Sequence, residues 1–600
     1  MRSRFSVIGI LIAFYTLIGH RMKRLLFLIP FFALAVGLFA QHTVVRRHGT
    51  ATQLVVDGKP YLIIGGETSN SAASSPDDIA RCFAHLHRMG LNTVLVPNYW
   101  DLFEPVEGQY DFSLVDAVIG EARKNDLRVV YLWFGAWKNS MSCYAPEWFK
   151  VDYKRFPRAH TKAGKPLEIA SAFSENVFKA DNRAFEAWLK HLKEVDGDRG
   201  TVIMVQIENE IGMLEDARDY SAEAVKQYDA PVPQGLLSFL KKYQKTLHSR
   251  LKARMDSLGT QKLKNPSWSE AFGTDVYGDE YFTAYYYAQY VERMAQSVKA
   301  IYPLPVYVNA AMNSRGRKPG QYPAAGPLAH LKDVWYAAAP SLLCLAPDLY
   351  DSGFTSWTSQ YALPDNPLFI PEIRRSEANG AQACYVFAEH DAIGFSPFAI
   401  EVGPDSPDYK PTQAYAMLRN LMPIITEKQG QGQMHGLYFD GTLQKGESPV
   451  GNSSVERIIH EEGMKITCRH FFTLPWYPRA TDGSPWPAAG AMLIRLNKFE
   501  YLLAGNCIVV QFENEGEQQI QKKLGEDGFV EAGTNQRTTE DQWSGSKRIG
   551  IAYCDQVEIA DDGSLKYLRR LNGDQDHQGR HIRIGVDDWQ ILHVKLYEYE

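Results

Sequence analysis

Cysteine is scarce in this chain of 600 residues, and the spacing of the cysteines excludes several kinds of site. The seven cysteines form no close pair of the kind found in zinc sites and redox motifs. No cluster of His, Asp and Glu has metal-ligand spacing either, so we expect no metal and no other cofactor. Cys344 and Cys384 lie in apolar surroundings, which favours buried free thiols. An isolated disulfide stays open if the protein is exported.

Long apolar runs and an excess of one charge are also missing beyond residue 41. No later stretch approaches the roughly 20 apolar residues that span a bilayer, so we expect no stable membrane insertion once a signal segment is removed. The net charge of −6 gives no reason to expect a nucleic acid partner. There is no internal repeat and no low-complexity tract. The sequence does not indicate an oligomeric state.

The N-terminus has the pattern of a targeting segment. Lys23-Arg24 precede an apolar stretch from residue 25 to 40 that ends in a small residue. A basic start followed by a short apolar region is typical of a signal peptide, so we expect an exported protein, periplasmic or secreted. Met22 is an alternative start. An uncleaved membrane anchor is the alternative interpretation, disfavoured because the stretch is short and contains Pro30.

Strand-like apolar runs alternate with amphipathic helical segments from about residue 55 to 425. The first helix is expected to begin at Pro76, with Ser75 as its N-cap and Gly90 at its end. The predicted strands are 61–64, 93–96, 129–132, 202–207, 306–308, 342–345, 368–370 and 392–395. The other predicted helices are 113–125, 183–194, 234–257, 280–300 and 411–421. This alternation predicts an α/β fold, a (β/α)8 TIM barrel with insertions. A doubly wound open sheet is the alternative, but no Gly-rich phosphate loop follows the first strand.

The hydrophobic period changes after residue 430. The predicted strands there are 493–496, 501–503, 508–512, 549–552 and 591–594, with turns at Ala504-Gly505-Asn506, Asp562-Gly563 and Asn572-Gly573. Residues 474–490 are predicted to be a Pro/Gly-rich loop. The expected organisation is a signal segment at 1–40, a barrel at 41–430 and an all-β sandwich at 431–600. We favour a buttressing role for the sandwich over sugar binding.

Polar residues follow two of the buried strands directly. Glu208, Asn209 and Glu210 stand where the apolar run 202–207 ends, and Glu372 follows the run 368–370. The C-terminal ends of barrel strands carry catalytic groups. Strict alternation would put Asn209 and Glu210 on opposite faces. The strand must therefore end or bulge there if both are to face a ligand, and we expect Glu208 to support the site.

Two carboxyl groups about 5–5.5 Å apart can cleave a glycosidic bond with retention of configuration. One group must be ionised to attack the anomeric carbon, and the other must be protonated to donate to the leaving oxygen. Their proximity supports this division, because one negative charge raises the pKa of its neighbour. Glu210 and Glu372 are the candidates. The alternative is that each caps a helix or pairs with a basic side chain such as Arg374.

The segment 206–212, Gln-Ile-Glu-Asn-Glu-Ile-Gly, closely resembles the acid/base motif of glycoside hydrolase family 35, the β-galactosidases. Residues 100–112 resemble the same family after the second strand. The resemblance implies Glu210 as acid/base, Glu372 as nucleophile and Asn209 as a ligand of the sugar 2-hydroxyl. The sequence departs from the family at 65–70, at 133–139 and around Glu372. It therefore looks like a divergent, shorter bacterial branch of a larger clan of barrel glycosidases.

Further candidates for sugar binding stand at other predicted strand ends. Tyr350 is expected to donate to Glu372, with a packed rim aromatic as the alternative. Glu67 is expected to accept bonds from sugar hydroxyls, with a surface carboxylate as the alternative. The remaining candidates are Asn98 and the stacking platforms Trp100 and Trp137, for which core packing is the alternative.

These observations predict a retaining, exo-acting β-glycosidase with a carbohydrate substrate. A β-galactosidase that trims oligo- or polysaccharide side chains fits best. The first alternative is the same chemistry on another terminal sugar, such as arabinopyranose, glucose or mannose. The second is a carbohydrate-binding barrel without turnover, against which the presence of both glutamates argues.

Overall fold

The computed structural model confirms the predicted fold class, a closed parallel barrel followed by antiparallel sheets. Residues 43–600 form one compact unit, and the signal segment predicted at 1–40 lies outside the described residues. The structure describes residues 42–600 except 442, 444–446, 450, 475–484, 517–546, 561, 574–575, 577–578, 580 and 587.

A small antiparallel sheet that the sequence analysis did not predict precedes the barrel. Its strands are β1 (Thr43–His48), β2 (Ala51–Val56) and β3 (Lys59–Tyr61). The turn between β1 and β2 rests on the end of the last barrel helix, since the Thr50 N–H donates to the Gly430 carbonyl at 3.0 Å.

The barrel is closed by eight strands in the order β10-β11-β12-β13-β4-β5-β6-β9. Nearly every residue of these strands is buried, which explains why their sequences are unbroken apolar runs. A hairpin, β7 with β8, is inserted after β6. The bounds are β4 (Ile63–Glu67), β5 (Thr93–Tyr99), β6 (Arg128–Phe134), β7 (Arg158–His160), β8 (Pro166–Ala170), β9 (Val202–Gln206), β10 (Val306–Ala311), β11 (Cys344–Leu349), β12 (Phe369–Ile373) and β13 (Gly394–Pro397).

The α-helices described for residues 43–428 follow the barrel strands or lie in the loops that connect them. They are α1 (Pro76–Arg88), α2 (Trp100–Phe103), α3 (Ser113–Lys124), α4 (Glu147–Val151), α5 (Glu175–Asp196), α6 (Ala222–Asp229), α7 (Gln234–Lys242), α8 (Ser249–Leu258), α9 (Trp268–Phe272), α10 (Val276–Ile301), α11 (Lys332–Ala338), α12 (Phe354–Tyr361), α13 (Asn379–Glu389) and α14 (Lys410–Lys428). Within the described ranges, none of them combines the length and the apolar character needed to cross a membrane.

Helix boundaries follow local capping chemistry. The start of α1 is as predicted, because the Ser75 hydroxyl accepts the Asp78 N–H. The helix predicted at 183–194 begins earlier, since Ser174 caps α5 by accepting the Val177 N–H. The single helix predicted at 234–257 is wrong. The chain forms α7 and α8 instead, and the His248 ring caps the second helix.

The C-terminal region contains two antiparallel sheets, in the orders β14-β17-β18-β23-β20-β21 and β15-β16-β19-β22. Their bounds are β14 (Met434–Phe439), β15 (Glu456–Glu461), β16 (Met464–His470), β17 (Ala489–Asn497), β18 (Glu500–Asn506), β19 (Ile508–Asn514), β20 (Arg548–Ile559), β21 (Leu565–Arg570), β22 (Ile582–Ile584) and β23 (Gln590–Tyr599). The turn predicted at Ala504-Gly505-Asn506 is wrong, because these residues end β18, and the chain passes from the first sheet to the second at Cys507, which has a φ of 61°. Of the loop predicted at 474–490, residues 475–484 lie outside the described part and 489–490 begin β17.

Candidate active site

The backbone leaves the strand conformation immediately after β9. Glu208 and Glu210 both have positive φ, 58° and 46°, a region that residues other than glycine seldom occupy. Strand alternation therefore stops at Gln206, as the sequence analysis required. Asn209 between them still donates its N–H to the Trp137 carbonyl at 3.2 Å, which anchors this segment to the chain that follows β6.

Glu210 is fixed at three points. Its N–H donates to Asn309 Oδ1 at 2.9 Å, and its carbonyl accepts the Ser140 N–H at 3.1 Å. The Asn139 side-chain amide donates to Glu210 Oε2. Each partner follows or lies in a strand that neighbours β9, so the barrel itself determines where this carboxyl group stands.

Glu372 lies in β12 and is only 5% exposed. Its Oε1 accepts a hydrogen bond from the Tyr350 hydroxyl. Glu67 is buried, not at the surface, and its side chain is near enough to Glu372 for the two groups to affect each other's pKa. A hydrogen bond between two carboxyl groups requires a proton on one of them.

Burial and mutual repulsion raise the pKa values of the acids in this site. Burial, followed by the negative charge of Glu210, raises the pKa of Glu372 to about 7, while Lys138 and the Tyr350 hydroxyl oppose the rise. Burial and the charge of Glu372 raise the pKa of Glu67 well above its ordinary range. Burial also raises the pKa of Glu210, and a raised pKa favours the protonated form that an acid catalyst needs.

Two predicted ligand residues are buried with free polar groups. Asn209 is fully buried, and neither its amide oxygen nor its amide nitrogen has a partner among the described residues. The amide nitrogen of Asn98, in β5, is likewise buried without an acceptor in that part of the chain. A buried polar group costs free energy unless it is hydrogen-bonded, so both amides are available to a polar ligand.

The two predicted stacking platforms are fully buried instead. Trp100 donates its indole N–H to Glu104 at 2.8 Å and packs on Trp148 and Phe149. The ring of Trp137 packs edge-on against Tyr287 and Tyr290. Their burial does not support a stacking role for either ring, because neither ring has any exposed surface in this structure.

Glu208 lies behind the site. Its Oε2 accepts the Trp137 N–H at 2.7 Å, and its side chain is hydrogen-bonded to Asp181. Asp181 in turn accepts the Trp133 indole N–H at 2.9 Å and the Tyr290 hydroxyl at 2.7 Å. Glu208 thus holds the loop that carries Trp137 and Asn139, the supporting position that the sequence analysis expected.

Four residues of the site were missed by the sequence analysis: Lys138, Asn139, Asn309 and Asp348. The signal that could have found them is the one that found Glu210, a polar residue at or just beyond the end of a buried strand. Asn309 and Asp348 stand near the ends of β10 and β11, and Lys138 and Asn139 follow β6.

Comparisons with known proteins match two parts of this chain. A family model described as "Beta-galactosidase", that of glycoside hydrolase family 42, matches residues 72–278. A second model, described as a domain of unknown function, matches residues 412–583. A curated β-galactosidase of Xanthomonas manihotis is 29% identical over 185 residues, which is 30% of this chain and 28% of that protein.

Solved structures with a similar barrel include two β-galactosidases. The one from Bacillus circulans sp. alkalophilus is 14% identical with a TM-score of 0.41, covering 61% of this chain and 57% of that one. A catalytic mutant of a family 42 enzyme from G. stearothermophilus is 16% identical with a TM-score of 0.41, covering 62% and 57%. The chain therefore spans about a quarter of the curated relative's length and under two thirds of these structures.

The chain resembles the class of (β/α)8 glycoside hydrolases in its barrel fold and in residues 72–278. Within that class, its matched segment is β-galactosidase-like. The matching family is 42, so the family 35 assignment expected from residues 206–212 is not supported, whereas membership of the wider class of barrel glycosidases is.

Proposed function

We propose that this protein is a retaining, exo-acting β-galactosidase that removes terminal β-galactose from oligo- or polysaccharide side chains. One observation carries the proposal: Glu210 and Glu372 stand in one buried site, each with its own hydrogen-bond donor, and the charge of Glu210 raises the pKa of Glu372. Export to the periplasm or the medium remains part of the proposal, on the pattern of residues 23–40.

The reaction proceeds by double displacement. The ionised Glu372 attacks the anomeric carbon and forms a covalent ester as the glycosidic C–O bond breaks, while Glu210 gives its proton to the departing oxygen. In the second step Glu210 takes a proton from water, the water oxygen attacks the same carbon and Glu372 is released. The Tyr350 hydroxyl supports the first step because it stabilises the ionised form of Glu372.

Asn209 is the proposed ligand of the sugar 2-hydroxyl. Its amide is buried beside Glu210 with both polar atoms unpartnered among the described residues. A sugar hydroxyl accepts and donates at once, so it can satisfy such an amide. Bonds to the 2-hydroxyl strengthen in the transition state of glycoside hydrolysis.

Galactose is proposed over arabinopyranose, glucose or mannose because the matching family model and the curated relative are both described as β-galactosidases.

A carbohydrate-binding barrel without turnover is the candidate from another class. The raised pKa of Glu372 and its bond to Tyr350 favour turnover, because a site that only binds has no need of a tuned carboxyl group.

The test is a panel of nitrophenyl glycosides with the product anomer followed by NMR. We expect release from the β-galactoside with β-galactose as the first product. Glu372→Ala should abolish turnover, and azide should restore it with an inverted product. Glu377→Ala, an exposed glutamate on the same side of the barrel, is the control and should retain activity. No release from any glycoside would refute the proposed hydrolytic activity. α-Galactose as the first product would refute retention of the anomeric configuration.

A further inference from the structure

Asp348 is a buried acid for which the proposed chemistry gives no role. It lies in β11, is 2% exposed, and stands opposite Glu372 in the pairing of β11 with β12. Its Oδ2 accepts a hydrogen bond from the Asn309 amide nitrogen at 2.7 Å. The oxygen of the same amide accepts the Glu210 N–H at 2.9 Å. Asn309 therefore holds the Asp348 carboxyl group in a fixed place relative to Glu210.

The side chains of Asp348 and Glu210 are near enough for each to affect the other's pKa through a hydrogen bond. Such a bond needs a proton on one of the two groups, because an ionised carboxylate cannot donate. Asp348 Oδ1 is buried and has no hydrogen-bond partner among the described residues, so it is the oxygen that can carry this proton.

The surroundings favour Asp348 as the group that keeps the proton. Burial and the negative charges of Glu372 and Glu210 raise the pKa of Asp348 well above its ordinary range, and the bond to Glu210 raises it further. The same bond lowers the pKa of Glu210. The ionisable groups that face Asp348 are Glu67, Glu210, Glu372, Tyr307, Tyr350 and Tyr361.

We propose that Asp348 is a positioning residue that remains protonated and donates its hydrogen to Glu210 whenever Glu210 is ionised. This rests on the proposed function, since it concerns the acid/base role of Glu210. When Glu210 gives its proton to the leaving oxygen, the new carboxylate accepts the Asp348 hydrogen. When Glu210 later takes a proton from water, Asp348 still holds its own. No proton leaves Asp348 at any step, so it makes Glu210 a stronger acid without being consumed.

Two substitutions separate this arrangement from its alternatives. Asp348→Asn keeps the shape of the side chain, presents an oxygen to Asn309 and an N–H to Glu210, and cannot ionise. Asp348→Leu removes the donor. The readout is the pH dependence of kcat/KM for a nitrophenyl β-galactoside, in which the alkaline limb reports the loss of the Glu210 proton.

We expect Asp348→Asn to lower kcat/KM by less than about tenfold and to leave the alkaline limb in place, because the donor is kept. Asp348→Leu should move that limb to higher pH by roughly one unit or more, because ionised Glu210 loses a bond of the strength usual for charged groups. A limb that moves to lower pH in Asp348→Asn would show that Asp348 is ionised in the native enzyme and would overturn the proposal. An unmoved limb in Asp348→Leu would mean a purely structural residue and overturn it equally.

A second measurement does not require activity. At neutral pH, the infrared C=O stretching band of protonated carboxyl groups should lose the contribution of one group in Asp348→Asn. A band of unchanged intensity would overturn the proposal, even if Asp348→Leu does not fold. If the wild type hydrolyses no glycoside but the band changes as expected, the proposed function fails while the protonation of Asp348 stands.

Discussion

The charge of Glu372 depends on a hydroxyl group from the neighbouring strand end. Tyr350 is 38% exposed at the rim, and its hydroxyl donates to Glu372 Oε1. Arg374 holds the tyrosine from the other side, with its guanidinium donating to the Tyr350 carbonyl at 3.2 Å. The donor lowers the pKa of Glu372 against the effect of burial, and a lower pKa means a larger ionised fraction near neutral pH.

We therefore expect Tyr350→Phe to move the acid limb of kcat/KM to higher pH. The pKa of Glu372 is about 7 with the donor in place, and removing the donor raises it, so less nucleophile is ionised at any given pH. The loss of activity should be roughly tenfold to a hundredfold at pH 7. This range corresponds to the free energy that a hydrogen bond to a charged group usually contributes. It should be smaller at a pH above the new pKa.

The matched control for this prediction is Tyr286→Phe. The Tyr286 hydroxyl contacts Gln227 on the outer helices at 3.1 Å, away from the strand ends. Its pH profile should coincide with that of the wild type. An acid limb that stays in place in Tyr350→Phe would contradict the assigned role of the Tyr350 donor.

The sequence predicted the two glutamates and Tyr350 as the donor to Glu372, but not Asp348 and Asn309 beside Glu210. Glu210 and Glu372 each follow an apolar run, which is a pattern visible in one segment. Asp348 and Asn309 are polar residues within strands, and their contacts join strands 39 residues apart along the chain. Such a contact depends on the register of neighbouring strands, and no single segment of sequence contains that register.

Among the elements, strands β17 and β18 of the six-stranded sheet are buried on both faces. In β17, Met492 and Ile494 belong to the core of the barrel, whereas Ala491 and Leu493 belong to the core between the two sheets. Strand side chains alternate between faces, so a sheet covered on both sides has continuous apolar strands. The apolar runs in the sequence therefore predicted these strands. Because both faces are apolar, no alternation of apolar and polar residues indicated which face packs on the barrel.

Helix α13 approaches that sheet closely because glycine stands at the contact. A Cβ atom added to Gly490 of β17 would lie 2.5 Å from the Cα of Ala381 and 2.7 Å from its carbonyl oxygen. These are backbone atoms, which cannot move aside without shifting the helix or the strand.

We expect Gly490→Ala to lower the free energy of unfolding by about 1–3 kcal/mol, the usual cost of overpacking. Urea unfolding is the measurement. Gly120→Ala in α3 is the control, since nothing lies within 4 Å of its added Cβ and alanine favours a helix. It should leave stability unchanged or raise it slightly. An equal loss in both variants would show that the close packing at Gly490 is not the cause.

In the whole molecule, the barrel and one face of the six-stranded C-terminal sheet share one apolar core. Residues of the six-stranded sheet, such as Leu502 and Val557, belong to the same buried cluster as the barrel strands. Asn420 of α14 makes two hydrogen bonds to the backbone of Ile559 in β20, both at 2.9 Å. Arg457 of β15 pairs with both carboxylate oxygens of Glu389 in α13, at 2.8 and 3.0 Å. These contacts support the buttressing role expected for the C-terminal region.

Chains of several domains commonly unfold in separate steps, but a shared core leaves neither part stable without the other. We therefore expect a single calorimetric transition for this chain, with enzymatic activity and tertiary circular dichroism lost at the same temperature. Asn420→Ala should shift this transition downward without splitting it. The free energy of unfolding should fall by about 2–3 kcal/mol, because the N–H and the carbonyl of Ile559 in β20 would lose their hydrogen-bond partners. Two resolved transitions in the wild type, with activity lost in only the first, would contradict this. They would mean that the barrel and the C-terminal sheets unfold independently.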